Sequence, residues 1–320
     1  MKKRVIAATA ALAAAFGQGA AASCGSAFCL INTDWSSQGY WLEPGVLFDL
    51  KFEYVDLDQP RTGTDRIGVG QIPRHHDEVE TINRNWVANV DWTPAPGWGV
   101  SFVLPYVDRY HTHIHNHQGE QEVETWKFHD LGDMRVVARH ELFASREAVE
   151  HQSSLGATLG VKLPTGKYDV VNDDGEAAER TLQPGTGTTD LLLGLYWSAA
   201  APLANTSWFA RVQGVLPMTE RSGFKPGKAV YVDGGGRYGL ANNVGLMLQL
   251  NYVWKGRDSG DEAEPEDGGQ QQLWLSPGIS WNVAKNAQLY AFAQFPLYQK
   301  VNGVQLTADW SALAGVSWRF

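Results

Sequence analysis

Residues 244–255 read VGLMLQLNYVWK. Val244, Leu246, Leu248, Leu250, Tyr252 and Trp254 fall on every second position, with Gln249 and Asn251 between them. Successive side chains of an extended chain point to opposite faces, so this stretch reads as a strand with one apolar face. The period recurs elsewhere. Phe48, Leu50, Phe52 and Tyr54 alternate with Asp49, Lys51 and Glu53, and Trp98, Val100, Phe102, Leu104 and Tyr106 form another apolar row. Similar rows run through residues 86–92, 134–138, 155–163, 191–197, 208–216, 230–238, 273–281, 289–295 and 310–320, twelve segments in all. Each is near the ~9–11 residues that cross a bilayer as a tilted strand.

The connections alternate in length. Short ones lie at 93–97, 143–153, 199–206, 241–243 and 282–287, and long polar ones at 57–83, 111–125, 164–188, 217–227, 256–270 and 296–308. Short turns at one end and long loops at the other are the layout of an outer-membrane barrel. Trp92, Trp98, Trp197, Trp208, Trp254, Trp281 and Trp318 near strand ends fit its aromatic girdles. A soluble β-sandwich would alternate too, but it explains neither the loop asymmetry nor the even strand count. In lipid no strand edge stays unpaired, so the sheet must close. The expected fold is all-β, a closed antiparallel transmembrane β-barrel of about twelve strands over residues 45–320.

The N-terminus reads MKKR, then VIAATAALAAAF, then GQGAAAS, the three regions of a secretory signal peptide over residues 1–22. Beyond it no apolar run reaches the ~20 residues of a membrane helix. Residues 23–44 are expected to form a periplasmic tail carrying CGSAFC. Its Cys24 and Cys29, the only two cysteines, suggest a small disulfide loop in an exported chain. A lipid on Cys24, and a redox or metal-thiolate pair, are the alternatives. A net charge of −9 gives no reason to expect nucleic acid as a partner.

HDLGDMRVVARHEL (129–142), LGVKLPTGKYD (159–169), LQPGTGTTDLLLGLYW (182–197) and the C-terminal FPLYQKVNGVQL…AGVSWRF together resemble the outer-membrane family named for a MetA pathway of phenol degradation. The resemblance spans roughly residues 40–320. It implies a transporter-like barrel for aromatic or other small organic molecules and no catalytic residues. The terminal Phe320 resembles the signal by which such barrels meet their assembly machinery.

One tract stands apart. RYHTHIHNHQ (109–118) places His111, His113, His115 and His117 on every second position. With Trp98 to Tyr106 facing lipid, these odd-numbered side chains point into the lumen at the outer mouth. Side chains two apart on one strand face lie about 6–7 Å apart, so the tract offers neighbouring imidazoles to Cu or Zn, and His75 and His76 from the preceding loop could complete a site. Polar lining without an ion is the competing reading. No other cofactor is expected.

Expected lumen charges of both signs are Asp49, Lys51, Glu53, Asp91, Asp133, Arg135, Arg139, Arg211, Asp233, Arg237, Asp309 and Arg319. They either brace the interior or select solutes. The acidic loop 257–270 reads as solvated surface. GTGTT and GGG lack the context of phosphate loops, and no nucleophile elbow is present, so no enzyme is expected. The expected function is passive passage of small solutes through a porin-like transporter in the outer membrane. Metal capture, and a closed barrel that serves as scaffold for a periplasmic partner, are the alternatives.

Overall fold

The computed structural model describes residues 23–24, 27–117, 120–146, 150–241 and 243–320. Its wall begins with β1 (Gly45–Leu57), β2 (His76–Ala95), β3 (Trp98–His117) and β4 (Arg135–Ser145). It continues through β5 (Gln152–Lys162), β6 (Asp190–Ala201), β7 (Thr206–Pro217) and β8 (Ala229–Gly239). It ends with β9 (Val244–Lys255), β10 (Gln270–Ala284), β11 (Ala287–Thr307) and β12 (Ser311–Arg319). Each strand pairs antiparallel with the next, and β12 pairs with β1 from Ser311↔Val55 to Arg319↔Leu47. The sheet is therefore a closed twelve-stranded barrel, which leaves no wall edge to face lipid.

The alternation behaves as expected. Leu246, Leu248, Leu250 and Trp254 are exposed on the outside, while Gln249 and Asn251 are buried inside. Trp92, Trp98, Trp208, Trp281 and Trp318 all lie on the outer surface. A concavity of about 610 Å³ is also outside, over Ala138, Ala157 and Gly214 between Trp98, Leu159 and Leu193. It faces the lipid side of the wall.

In the expected 57–83 loop β2 already begins at His76, and two further stretches expected as loops are strands. β3 runs on to His117 and returns through Glu120–Leu131, paired from Tyr106↔Leu131 to His117↔Glu120. Likewise β11 extends to Thr307 and its far end pairs with Gln59–Gly63. Alternation persists through both stretches although apolar residues thin out, because the strands project beyond the apolar belt. The exposed Arg84–Asp108 pair, 3.3 Å apart, marks the start of that projection on β2 and β3.

Between Leu131 and Arg135 the returning chain leaves the strand conformation, and β4 pairs with β3 only from Trp98 to Val103. Here the motif residues of HDLGDM, LPTG and PGTGTTD converge. The Asp133 carboxylate accepts the N–H groups of Gly166 (3.0 Å) and Thr186 (2.9 Å) and pairs with Lys162 (3.1 Å), which also reaches Asp190 (2.9 Å). Gly132 and Gly166 sit against backbone so closely that a Cβ would meet main-chain atoms at 3.0 Å or less. These motifs thus tie the 163–189 loop to the wall. The loop then folds over the inner side of the projecting strands, where Leu182, Ala178 and Trp126 form a buried cluster.

Residues 27–44 overturn the expected periplasmic tail. Ser23–Cys24 pairs in parallel with Gln305–Leu306, at the long-loop end of the barrel. The chain from Ala27 then descends through the lumen and reaches the short-turn rim at Gly45. The physical reason is that this stretch carries apolar side chains which a solvated tail would expose. Ile31 and Trp35 are buried against Leu47, Met247, Tyr290, Phe292 and Leu313. Residues 1–22, expected as a signal peptide, and the Cys24 side chain lie outside the described residues.

Candidate functional site

The lumen segment is held by side chains from around the wall. A buried backbone needs partners for its N–H and C=O groups, and luminal amides and carboxylates supply them. Asn85 donates to Ala27 O (2.7 Å), Cys29 N donates to Glu53 (3.2 Å), and Leu30 N donates to Gln294 (3.2 Å). Gln249 clamps Asn32 from both sides: its oxygen accepts Asn32 N (3.1 Å) and its amide donates to Asn32 O (3.0 Å). Below, Asp34 caps a tight turn by accepting Ser37 N (3.2 Å), and Gly39 takes a left-handed φ of 88° to end it.

The expected lumen charges brace this arrangement. Asp49 accepts hydrogen bonds from Ser317 (2.6 Å), Tyr290 (2.9 Å) and the Trp35 indole (3.3 Å). Lys51 bridges Glu53 (3.0 Å) and Thr33 (3.1 Å). Arg139 faces Asp91 at 3.6 Å, and Asp91 also receives Ser36 of the segment at 3.2 Å. Arg211 binds Asp233 (2.8 Å), and Arg237 lies over the Tyr40 ring at 5.3 Å while reaching Gln288 at 3.4 Å. Arg135 has the inward parity but is exposed. Two expectations are corrected: Asp309 pairs with Arg66 outside the lumen, and Arg319 pairs with Glu43 at the short-turn rim. Both stand where a strand ends, so alternation no longer dictates their direction.

Among the described residues, small cavities of about 10 Å³ each flank the segment. One lies between Leu30, Trp274 and Gln294, the other between Tyr40, Phe209 and Gln249. Each has room for about one water. At this level the described residues pack around the segment and bury the inward side chains Gln249, Asn251 and Gln294.

Above the belt, the histidine tract turns inward as its parity predicts. His111 and His113 are buried on β3, and His76 is buried on β2. The register sets His76 opposite His115 and Glu78 opposite His113. The rings of His76 and His113 stack at 4.7 Å, and those of His75 and His115 approach at 4.4 Å. Four groups converge: His76, Glu78, His113 and Glu179 each offer a ligand atom, all within 4.8 Å of one another. His76 Nε2 lies 3.2 Å from Glu179 and 3.8 Å from Glu78. Around them, Glu124 binds His113 Nε2 (2.8 Å) and His115 Nδ1 (3.2 Å), while Thr81 holds His111 Nδ1 at 2.8 Å.

Burial, helped by neighbouring imidazoles, lowers His76 to about 3. Burial likewise lowers His111 and His113, with Glu124 pulling His113 the other way. Of the six expected histidines, the structure brings His76 and His113 together with carboxylates. His75, His111 and His115 stand around them, and the His117 side chain lies outside the described residues. Sequence reasoning missed Glu78 and Glu179. Glu78 was accessible, being two positions from His76 on the same strand face. Glu179 comes from the folded 163–189 loop, and no local pattern announces it. In the acidic 257–270 loop, Asp258 and Asp267 are likewise buried, accepting Gly227 N (2.7 Å) and Val304 N (2.9 Å).

No family model matches the chain, and no curated protein matches it. Solved structures do. The COG4313 outer membrane channel from Pseudomonas putida F1 is similar with a TM-score of 0.62 at 11% identity, covering 87% of this chain and 96% of that one. The KdgM porin aligns with a TM-score of 0.43 at 11% identity, over 86% of this chain and 99% of that one. The likeness is one of fold, a closed antiparallel β-barrel like that of the first of these outer-membrane structures.

Proposed function

We propose that this protein is an outer-membrane channel for small solutes whose passage is controlled by its own lumen segment, residues 27–41. The observation that carries the reading is the way this segment is held. It is seated by hydrogen bonds to luminal side chains and two apolar anchors, Ile31 and Trp35. It pairs with no wall strand between Ala27 and Trp41. It can therefore leave without opening the wall. With it seated, the lumen is filled; with it displaced, polar side chains such as Asn85, Gln249, Asn251 and Gln294 would line a hydrated path. Wall ion pairs such as Arg211–Asp233 would then set selectivity.

The motif resemblance to the MetA-pathway family supports small organic solutes, aromatic ones included, as cargo. The lipid-facing aromatics support residence in the outer membrane. The experiment compares single-channel conductance of the full chain with a chain lacking residues 27–41. The deletion is expected to give stable, larger openings. A folded deletion barrel that stays closed would refute the reading.

A further inference from the structure

The strongest unused feature of the molecule is the buried cluster at the outer mouth. We infer that His76, Glu78, His113 and Glu179 form a binding site for a divalent transition metal, zinc being the best fit. The ion would fasten the 163–189 loop to the projecting β2–β3 hairpin.

The donor set matches zinc chemistry. Two imidazoles and two carboxylates make a four-coordinate nitrogen–oxygen site. Tetrahedral zinc with bonds near 2.0–2.1 Å sets its donors about 3.3 Å apart. The four donor atoms already lie within 4.8 Å of one another, so modest side-chain adjustment closes the site. His76 supplies an independent pointer. It is 1% exposed, yet neither ring nitrogen meets hydrogen-bond geometry. A buried imidazole in that condition carries a desolvation cost that an ion would relieve.

The surroundings are also those of a metal centre. A ligating histidine commonly gives its other N–H to a carboxylate. Here Glu124 sits 2.8 Å from His113 Nε2, which leaves Nδ1 for the ion. His113 Nδ1 now faces His111 Nε2 at 3.3 Å, a contact the ion would replace. The displaced His111 N–H has an acceptor ready, because Glu78 Oε2 is 3.8 Å away while Glu78 Oε1 is the oxygen nearest His76. Glu179 is the only one of the four that is not on a wall strand. The ion would therefore join two parts of the chain that are distant in sequence.

The test uses the refolded full chain in detergent micelles, with zinc affinity read by competition against a chromophoric chelator and geometry read by cobalt absorption. The expected result is one site with the intense visible bands of four-coordinate cobalt. His76→Asn with His113→Asn should abolish it. Glu179→Gln should weaken it more than the roughly 10–100-fold typical of an outer-shell partner. His115→Ala should leave it within about twofold. Heat-modified gel mobility verifies the folded barrel. Should the double variant not fold, Glu179→Gln, whose side chain belongs to the loop and not the wall, decides the matter. Zinc should also slow proteolysis within residues 163–189. No zinc or cobalt binding in the folded native chain overturns the site, as does affinity unchanged by the ligand substitutions. Binding without loop protection overturns the fastening.

Discussion

The clamp between Gln249 and Asn32 offers a graded way to loosen the lumen segment. Gln249→Ala removes two buried hydrogen bonds to one residue of the segment, 3.1 and 3.0 Å long, and with them the 3.3 Å bond it accepts from Asn251 on the wall, which is lost whether the segment is seated or displaced. At about 1 kcal/mol per neutral bond, the seated state loses about 2 kcal/mol. At 1.4 kcal/mol per tenfold, the displaced population rises roughly 30-fold. Water entering the vacated space would reduce the effect. Stranding Asn32 N would enlarge it, while Asn32 O keeps the Gln38 amide at 2.9 Å. The assay is single-channel recording in planar bilayers, with the 27–41 deletion defining the fully open level. Gln213→Ala is the control, an inward amide on β7 that makes no hydrogen bond to the segment. The variant should visit the open level about 30 times more often than the native chain, and the control should not. Equal opening frequencies in Gln249→Ala and Gln213→Ala, with native heat-modified mobility in both, would refute the reasoning.

Three further outcomes follow from the geometry. Trp35→Ala deletes the largest anchor, stacked edge-on against Tyr290 at 4.9 Å, and should unseat the segment by about 3–5 kcal/mol, giving a channel open most of the time in the same recordings. Gly315→Ala drives a Cβ into the Tyr290 hydroxyl, so Tyr290 must leave Asp49, and overpacking of about 1–3 kcal/mol should lower the melting temperature. The buried His76, His111 and His113 bind protons less readily folded than unfolded, so their contribution is fully present above the ordinary value of 6.5. It is lost as pH falls from there toward the folded value of about 3 for His76. Acidification from neutrality should therefore raise hydrogen exchange in residues 111–131 before the rest of the wall, and exchange rising evenly over the barrel would contradict this.

Much of the wall was legible because a barrel strand has one lipid face, and lipid tolerates few polar side chains there. Parity alone placed Asp49, Glu53, Arg139 and Arg211 inside, and turned His111 and His113 inward above the belt. What it could not place was anything whose position depends on a distant partner. CGSAFCLINTDWSSQGYW carries Leu30, Ile31 and Trp35 without period, so neither helix nor strand logic recognises it. Its environment is built by Gln249, Gln294 and Tyr290, from strands far along the chain. Loop ends failed for the opposite reason: the 111–125 and 296–308 stretches are polar on both faces beyond the membrane, so strand and loop look alike there. The Asp133 knot shows what the most recognisable motifs are for in this chain, since they anchor a loop and line no path.

The route of residues 23–44 also constrains how the molecule can be made. The stretch enters from the long-loop end, where Ser23–Cys24 adjoins Gln305–Leu306, and leaves at the opposite rim into β1. Its Cys29 thiol touches Ala312 O on the last strand at 3.5 Å, and Asp49 joins Ser317 there. Strands β1 and β12 are the two that meet at the seam, and β12 is synthesised last. A growing sheet would hence curl around a thread already laid across its concave face, with ring closure as the event that imprisons it. Should the ring close first, the thread must pass lengthwise through a finished cylinder. The order of these two events would be visible as the order in which the seam and the Trp35 environment acquire their native signals during refolding.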